Sequence, residues 1–170
     1  MTELLSHAIA NLKIIGIYLR RAEVNLSDDY NLYNVDFSEV KVQSKRSIEK
    51  IEIMELEPID KKNNGKKYLY SYHYSPGVRL VSLPDGDNDN SDDDERVVLT
   101  VDASFEAFYS SEIEMSKENL EAYAVCHVGK NVWPYWREYL QSTCSKMGIK
   151  NINIPFYEVD GSDLPEEDLS

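Results

Sequence analysis

Imidazole and thiol side chains are the first groups in this chain that could bind a metal ion or act in catalysis. The sequence has three histidines, His7, His73 and His127, and two cysteines, Cys126 and Cys144. No histidine has a second ligand at the helical spacing that zinc sites use. Cys126, His127 and Cys144 together would offer three zinc ligands, but neighbouring ligands point in different directions on a helix. We therefore expect no metal site and two reduced, buried thiols.

An acidic stretch over residues 85–95, DGDNDNSDDDE, resembles the start of a calcium-binding loop, because its first three aspartates alternate. The pattern then fails, since Asn90 stands where such a loop requires glycine and Arg96 where it requires a bidentate glutamate. The composition therefore predicts a solvated acidic hairpin insert over 84–95.

The net charge of −13 comes from two segments of the chain. Residues 85–95 hold seven acids and residues 158–168 hold six, with no base in either segment. The other positions hold 18 acids and 18 bases, so the remainder of the chain is neutral. Nothing in this distribution forms the basic surface that nucleic-acid binding requires. We therefore expect no nucleic-acid partner.

Motifs for enzymatic chemistry, membrane insertion and secretion are missing from the sequence. There is no glycine-rich phosphate loop, and no serine or cysteine lies in a nucleophile motif. The longest apolar stretch near the N-terminus, IIGIYL (14–19), is too short for a membrane helix and follows no basic region. These features predict a cytoplasmic protein that is not an enzyme, needs no cofactor and does not insert into membranes.

Four alternating tyrosines, Tyr68, Tyr70, Tyr72 and Tyr74, dominate the segment YLYSYHY and would share one face of a strand. The opposite face is less bulky, so we expect the tyrosine face to cover a layer of helices, with its hydroxyls at the margin of that layer. The alternative is an exposed stripe that joins a peptide-binding surface or a contact between two sheets.

The elements that must position these side chains begin with a helix over 2–12 and a strand over 13–26, each predicted from its periodicity. The apolar positions of the strand change phase in the middle, so we predict a β-bulge at Arg20–Arg21. Residues 27–47 keep neither period, and we interpret them as a long irregular crossing segment.

Residues 48–57 fit either a strand or a helix, but the turn signal Asn64-Gly65 that follows favours a strand. Residues 97–109 alternate as an antiparallel strand with one buried face. Ser116 is placed to cap a helix, which the segment GKN (129–131) interrupts. Asn131 is placed to cap a second helix with Pro134 in its first turn. The sum is a four-stranded antiparallel sheet with helices packed on one face, an α+β fold.

The segment VCHVGKNVWPYWREYLQSTCSKMGIKNINIPFY (125–157) resembles the hallmark region of the SecB family of export chaperones and its toxin–antitoxin relatives. In that family an aromatic-Pro-Tyr-x-Arg-Glu run opens a long helix, a glycine ends it, and an apolar connecting loop follows. The matching positions here are Trp133, Pro134, Tyr135, Arg137, Glu138, Gly148 and the loop 149–157. Weaker likeness extends to the first strand (14–26) and to the fourth (98–113).

The resemblance implies a single SecB-like domain over 1–157 with an acidic tail at 158–170. It also implies a homotetramer, a dimer of dimers, that binds non-native or export-bound polypeptide without ATP. Positions that match the family's client groove are Tyr30, Leu32, Tyr33, Val35, Phe37, Ile152, Ile154, Phe156 and Tyr157. On the long helix, core or subunit contacts are expected from Trp133, Tyr135, Trp136 and Leu140.

Some positions depart from the family pattern. Residues 158–170 hold acids and a proline where the family has a further helix. Glu106 lies near an acidic position through which export chaperones recruit the SecA motor, but Arg21 stands near another where an acid is expected. Two alternatives to a general holdase therefore stay open. One is a dedicated chaperone of an antitoxin, and the other is a metal-binding protein or enzyme on the same fold.

Overall fold

The computed structural model describes residues 3–28, 40–56, 67–82, 96–149, 152 and 156–158. Four strands form one antiparallel sheet in the order β1-β4-β3-β2, so that β1 and β2 are its edges. Helices pack on one face of the sheet, which confirms the predicted α+β class. The elements are α1 (Glu3–Asn11), β1 (Lys13–Leu26), β2 (Val40–Leu56), β3 (Lys67–Ser82), β4 (Arg96–Ser111), α2 (Lys117–Tyr123), a π-helical turn (Ala124–Val128) and α3 (Gly129–Lys146).

The second strand is longer than the sequence predicted. It pairs with β3 without interruption from Val40↔Ser82 to Leu56↔Lys67, apart from one bulge. The prediction of a crossing segment over 27–47 is therefore wrong for residues 40–47, where the hydrogen-bond ladder forms although the apolar period is weak. The rest of that segment from 29, the acidic insert 84–95, the Asn64–Gly65 turn and the tail beyond Glu158 lie outside the described residues.

The tyrosine face of β3 covers the helix layer, as predicted. Tyr70, Tyr72 and Tyr74 are fully buried. The Tyr72 hydroxyl donates to the carbonyl of Leu120 at 3.2 Å, and the Tyr70 hydroxyl accepts from the backbone N–H of Met115 at 2.8 Å. Burial raises the pKa of Tyr72 far above its usual value. The phenol tips are thus satisfied by backbone groups at the start of the helical region.

The helical region is continuous where the sequence predicted a break. Ser116 caps α2 as expected, accepting from the backbone N–H of Asn119. Gly129 has helical torsion angles, so the chain passes through the π turn into α3. Asn131 does not act as a cap, because it lies inside α3 and donates to the Tyr109 hydroxyl at 3.0 Å. Pro134 is likewise interior and leaves one intrahelical hydrogen bond unmade.

The C-terminal end of α3 is the glycine cap that the sequence predicted. Gly148 has a φ of 76°, a conformation that glycine adopts without steric cost. The N–H of Gly148 donates to Ser145 and that of Ile149 to Cys144, which is the Schellman pattern. Ile149 is buried, so the cap turns the chain back against the core.

The first strand shows the predicted bulge between Leu19 and Arg21, with a second irregularity between Ile14 and Gly16. Its residues opposite the buried face of β4 stay largely uncovered. Leu19, Val24 and Leu26 are 44%, 37% and 38% exposed, although their partners on β4 are buried. The described helices therefore cover the centre of the sheet and Ile17 of β1, and they leave the second half of β1 open. No described helix is long and apolar enough to cross a membrane.

Candidate functional site

The face of α3 that carries Trp133 and Arg137 is one wall of an open groove. These residues are four apart, so their side chains lie on the same side of the helix. Trp133 is 6% exposed, so its ring forms the buried apolar base of this wall. Among the described residues, Nε of Arg137 is a buried donor without a hydrogen-bond partner. The wall thus combines an apolar base with one buried N–H group that has no partner among the described residues.

The opposite wall is the short segment 156–158, and Gly129 allows it to come close. A Cβ atom at Gly129 would collide with the phenol ring of Tyr157. The Tyr157 ring also lies 5.7 Å from the Trp133 ring, centroid to centroid, at an interplanar angle of 58°. Tyr157 is therefore held against the start of α3 by shape and by aromatic contact.

Arg46, on the helix side of β2, ties this segment to the sheet. Its guanidinium lies 4.6 Å from the centroid of the Tyr157 ring and 5.8 Å from that of Trp133. Its Nη2 donates to the carbonyl of Glu158 at 2.6 Å. Since the cation engages both the ring and the backbone, it fixes the direction in which the segment leaves α3.

Phe156 is the side chain that this arrangement leaves in water. It is 80% exposed, and its one ring contact with a cation is to Arg137 at 5.0 Å, among the described residues. It borders a groove of about 780 Å³. The lining residues are Lys130, Trp133, Pro134, Arg137, Glu138, Gln141, Ser142, Phe156 and Tyr157. An apolar ring held open beside aromatic walls can bind an apolar side chain from another molecule.

The predicted site residues have different outcomes. The structure brings Phe156 and Tyr157 together in the groove, and Ile152 packs partly buried against the core. Tyr30, Leu32, Tyr33, Val35, Phe37 and Ile154 lie outside the described residues. Trp133, Trp136 and Leu140 are buried. Tyr135 is half exposed, so it does not belong to the core of one chain, and its place in a subunit contact stays a prediction.

Glu106, the expected motor-binding position, lies on the sheet face opposite the helices, and both of its carboxylate oxygens have polar partners. Its Oε1 accepts from the Ser71 hydroxyl at 2.7 Å, and its Oε2 pairs with Arg20 Nε at 2.6 Å. Burial acts to raise the pKa of Glu106, but the bonds from Ser71 and Arg20 outweigh it and hold the pKa below its usual value. Glu106 is thus a paired carboxylate rather than a free surface charge.

Sequence reasoning missed two sets of residues. Arg46 and Gly129 position Tyr157 at the groove, but no spacing rule connects a residue of β2 with the start of α3. His73 was judged by helical spacing alone, yet it lies on a strand, where its neighbours are across the sheet. Alternation along β3 and β4 would have been the signal for Glu106 as a neighbour of His73.

No protein-family model matches this chain, and no curated protein matches its sequence. Among solved structures, the chain is similar to the Mycobacterium tuberculosis Rv1957 SecB-like chaperone, which was solved in complex with a ChAD peptide from the Rv1956 HigA1 antitoxin. The TM-score is 0.61 and the identity 16%, over 92% of this chain and 98% of that chain. The chain therefore has the SecB-like fold.

Proposed function

We propose that the protein is an ATP-independent chaperone, a holdase that binds extended apolar segments of non-native polypeptide. The observation that carries the proposal is the groove beside α3, where Phe156 is kept 80% exposed while Tyr157 is held in place. A ring left in water adds nothing to the stability of the fold, and its burial stays available to a partner. A client side chain that covers it gains the free energy of burial that folding left unused.

Binding in such a groove needs no chemical step. Each well-buried client side chain contributes roughly 1.5–3 kcal/mol. Aromatic walls and flexible cations accept many side-chain shapes, which favours breadth over selectivity. The Arg137 side chain lines the groove, and its guanidinium can donate to a client carbonyl. An extended client leaves its remaining backbone groups in water, so their desolvation does not oppose binding.

The proposed client surface extends beyond the described part of the groove. We include Ile152 and Ile154 from the loop that precedes Phe156. We also include the predicted groove residues of the crossing segment, which are Tyr30, Leu32, Tyr33, Val35 and Phe37. A continuous apolar track of this kind would hold several client side chains at once, so that weak individual contacts add up to a stable complex.

The test is suppression of aggregation of a chemically denatured client at a stoichiometric ratio, without nucleotide. Phe156→Ala should weaken binding of a fluorescent apolar peptide by about 10- to 100-fold, since the burial of one phenylalanine is lost. Ile113→Ala is the matched control, because Ile113 is 41% exposed but lies outside the groove. A wild-type protein that neither suppresses aggregation nor binds the peptide would refute the proposal.

A single dedicated client is the alternative, and the likeness to a chaperone solved with an antitoxin peptide favours it. On that reading the client would be an aggregation-prone antitoxin rather than export-bound proteins in general. A panel of unrelated unfolded proteins separates the two. Comparable affinity for most of the panel supports the general holdase, whereas tight binding of one antitoxin segment alone supports the dedicated chaperone. Recruitment of a SecA-type motor through Glu106 stays a prediction of the first reading.

We also propose that the protein is a homo-oligomer, a dimer of dimers. The uncovered face of β1, with Leu19, Val24 and Leu26, supports this, because a second copy could cover it. The edge of β1 further offers unpaired backbone groups to a second sheet. Leu19→Glu should then lower the mass in solution without unfolding the chain, whereas a monomeric wild-type protein would exclude the assembly.

The unpaired thiols Cys126 and Cys144 fit a reducing compartment such as the cytoplasm.

A further inference from the structure

The sheet face opposite the helices carries a cluster of metal-ligating side chains that client binding does not use. Glu52 on β2, His73 on β3 and Glu106 on β4 each offer one donor atom, and these three atoms lie within 4.8 Å of one another. His73 stands directly opposite Glu106 in the ladder, and Glu52 is diagonal to it. Among the described residues, this is the one group of three such donors that converges, and Cys126, His127 and Cys144 do not form one.

We propose that Glu52, His73 and Glu106 bind one first-row divalent transition-metal ion, with zinc as the preferred ion. In a tetrahedral zinc site with bonds of about 2.0 Å, neighbouring ligand atoms are about 3.3 Å apart. His73 Nε2 is 3.0 Å from Glu52 Oε2 and 3.5 Å from Glu106 Oε1, which brackets that spacing. Glu52 is exposed and can rotate to shorten the distance between the carboxylates.

The carboxylates are already oriented for this purpose. Each directs one oxygen toward His73 and has its other oxygen held by a cation, Oε1 of Glu52 by Lys50 at 2.8 Å and Oε2 of Glu106 by Arg20 at 2.6 Å. Arg20 is itself fixed between the rings of Tyr18 and Phe108, at 5.5 and 5.7 Å. Partners of this kind orient metal ligands in proteins.

The donor set determines the class of ion. One imidazole and two carboxylates suit zinc and its first-row neighbours, whereas magnesium and calcium prefer oxygen donors alone. Each carboxylate can give one oxygen to the ion while its other oxygen stays paired with Lys50 or Arg20. The Ser71 hydroxyl, 2.7 Å from Glu106 Oε1, can bind a water molecule that completes four ligands.

The experiment is titration of the metal-free full chain with Zn²⁺ against a competing chromophoric chelator, in excess Mg²⁺ to saturate the acidic segments. We expect one tight site per chain. His73→Gln should weaken it by at least about 100-fold, the upper end of what the loss of a supporting partner costs. Glu52→Gln, at an exposed position, should do the same without risk to the fold. His7→Gln, on α1, is the matched control and should bind as the wild type does.

A second readout separates a metal site from a polar network. Co²⁺ should give the visible absorption of a four-coordinate ion in the wild type and in His7→Gln, and lose it in His73→Gln. The thermal midpoint should rise with Zn²⁺ in the same two proteins only. Stoichiometric zinc binding that survives both ligand substitutions, or no binding at all, would overturn the proposal. Both results are independent of chaperone activity, which is measured at the groove.

Discussion

Gly129→Ala, taken together with Tyr157→Ala, tests how the groove is built. In a helix interior, alanine is more stable than glycine by about 1 kcal/mol. Gly129 has helical torsion angles, so this gain is available. The new methyl group, however, would occupy the position of the Tyr157 ring. The substitution therefore stabilises the helix and displaces the tyrosine at the same time.

The cost of displacing Tyr157 follows from its contacts. Its aromatic pair with Trp133 is worth about 0.5–1.5 kcal/mol and its cation–π contact with Arg46 about 0.5–1 kcal/mol. Gly129→Ala should therefore leave the free energy of unfolding unchanged or lower it by up to about 1.5 kcal/mol. In the Tyr157→Ala background the same change should raise it by about 1 kcal/mol, because no ring is left to displace.

Urea unfolding of the four proteins, followed by tryptophan fluorescence at one protein concentration, gives the coupling between the two positions. We expect a coupling of about 1–2.5 kcal/mol, the sum of the lost contacts. Peptide affinity should fall in both single variants, since Phe156 is next to the displaced residue. A coupling below about 0.5 kcal/mol would show that Tyr157 is not seated on Gly129, and the description of the groove would be wrong.

Three further outcomes depend on buried polar groups and are measured on the same protein. Tyr70→Phe should lower the free energy of unfolding by about 1–3 kcal/mol, because it leaves the buried N–H of Met115 without an acceptor. Tyr72→Phe should lower it by about 1 kcal/mol, because the carbonyl of Leu120 still accepts from the helix backbone. Urea unfolding measures both losses, and a larger loss for Tyr72→Phe would contradict this explanation. Burial raises the pKa of Cys144 to about 11 from 9.0, so near neutral pH its thiolate is about 100-fold less populated than that of a thiol with pKa 9.0. A thiol reagent should therefore label Cys126 before Cys144 as long as the chain is folded. Ser71 and Arg20 hold the pKa of Glu106 in the folded protein below 4.5 in spite of burial. The stability that Glu106 contributes is therefore present above pH 4.5 and is lost as the pH falls through this lowered pKa. Glu106→Gln should therefore show a shallower loss of stability in acid, and equal slopes would argue against the pairing.

Much of the fold could be predicted from the sequence because apolar periodicity follows burial. The β1 bulge between Leu19 and Arg21, the buried tyrosines of β3 and the Gly148 cap each follow from a local rule, and each is found. Alternation along β4 also holds from Leu99 onward. It fails at Val98, which is buried while Val97 is exposed, because the pairing with β3 shifts between Leu80 and Val81. That shift depends on the partner strand, which a single segment cannot reveal.

The candidate site was predictable only where it is local. Phe156 and Tyr157 follow the long helix in a recognisable block, so a resemblance could point to them. Gly129 and Asn131 were interpreted as a helix break, because both residues are common at helix ends. In the structure Asn131 bonds the Tyr109 hydroxyl, and Gly129 makes room for Tyr157. Tertiary contacts therefore decided the conformation of residues whose local preference pointed elsewhere.

Residues 48–57 fitted both a strand and a helix because of one β-bulge, and the same bulge affects both the groove and the proposed metal site. A bulge at Glu49 separates the pairs Ile48↔Tyr74 and Lys50↔His73, so that Ile48, Ile51 and Ile53 all lie opposite the buried tyrosines. Spacings of three and then two resemble a helix at first and a strand afterwards. Without the bulge, Glu52 would face the helices and Ile51 would take its place beside His73. One extra residue in β2 thus keeps Arg46 at the groove and brings Glu52 to the opposite face.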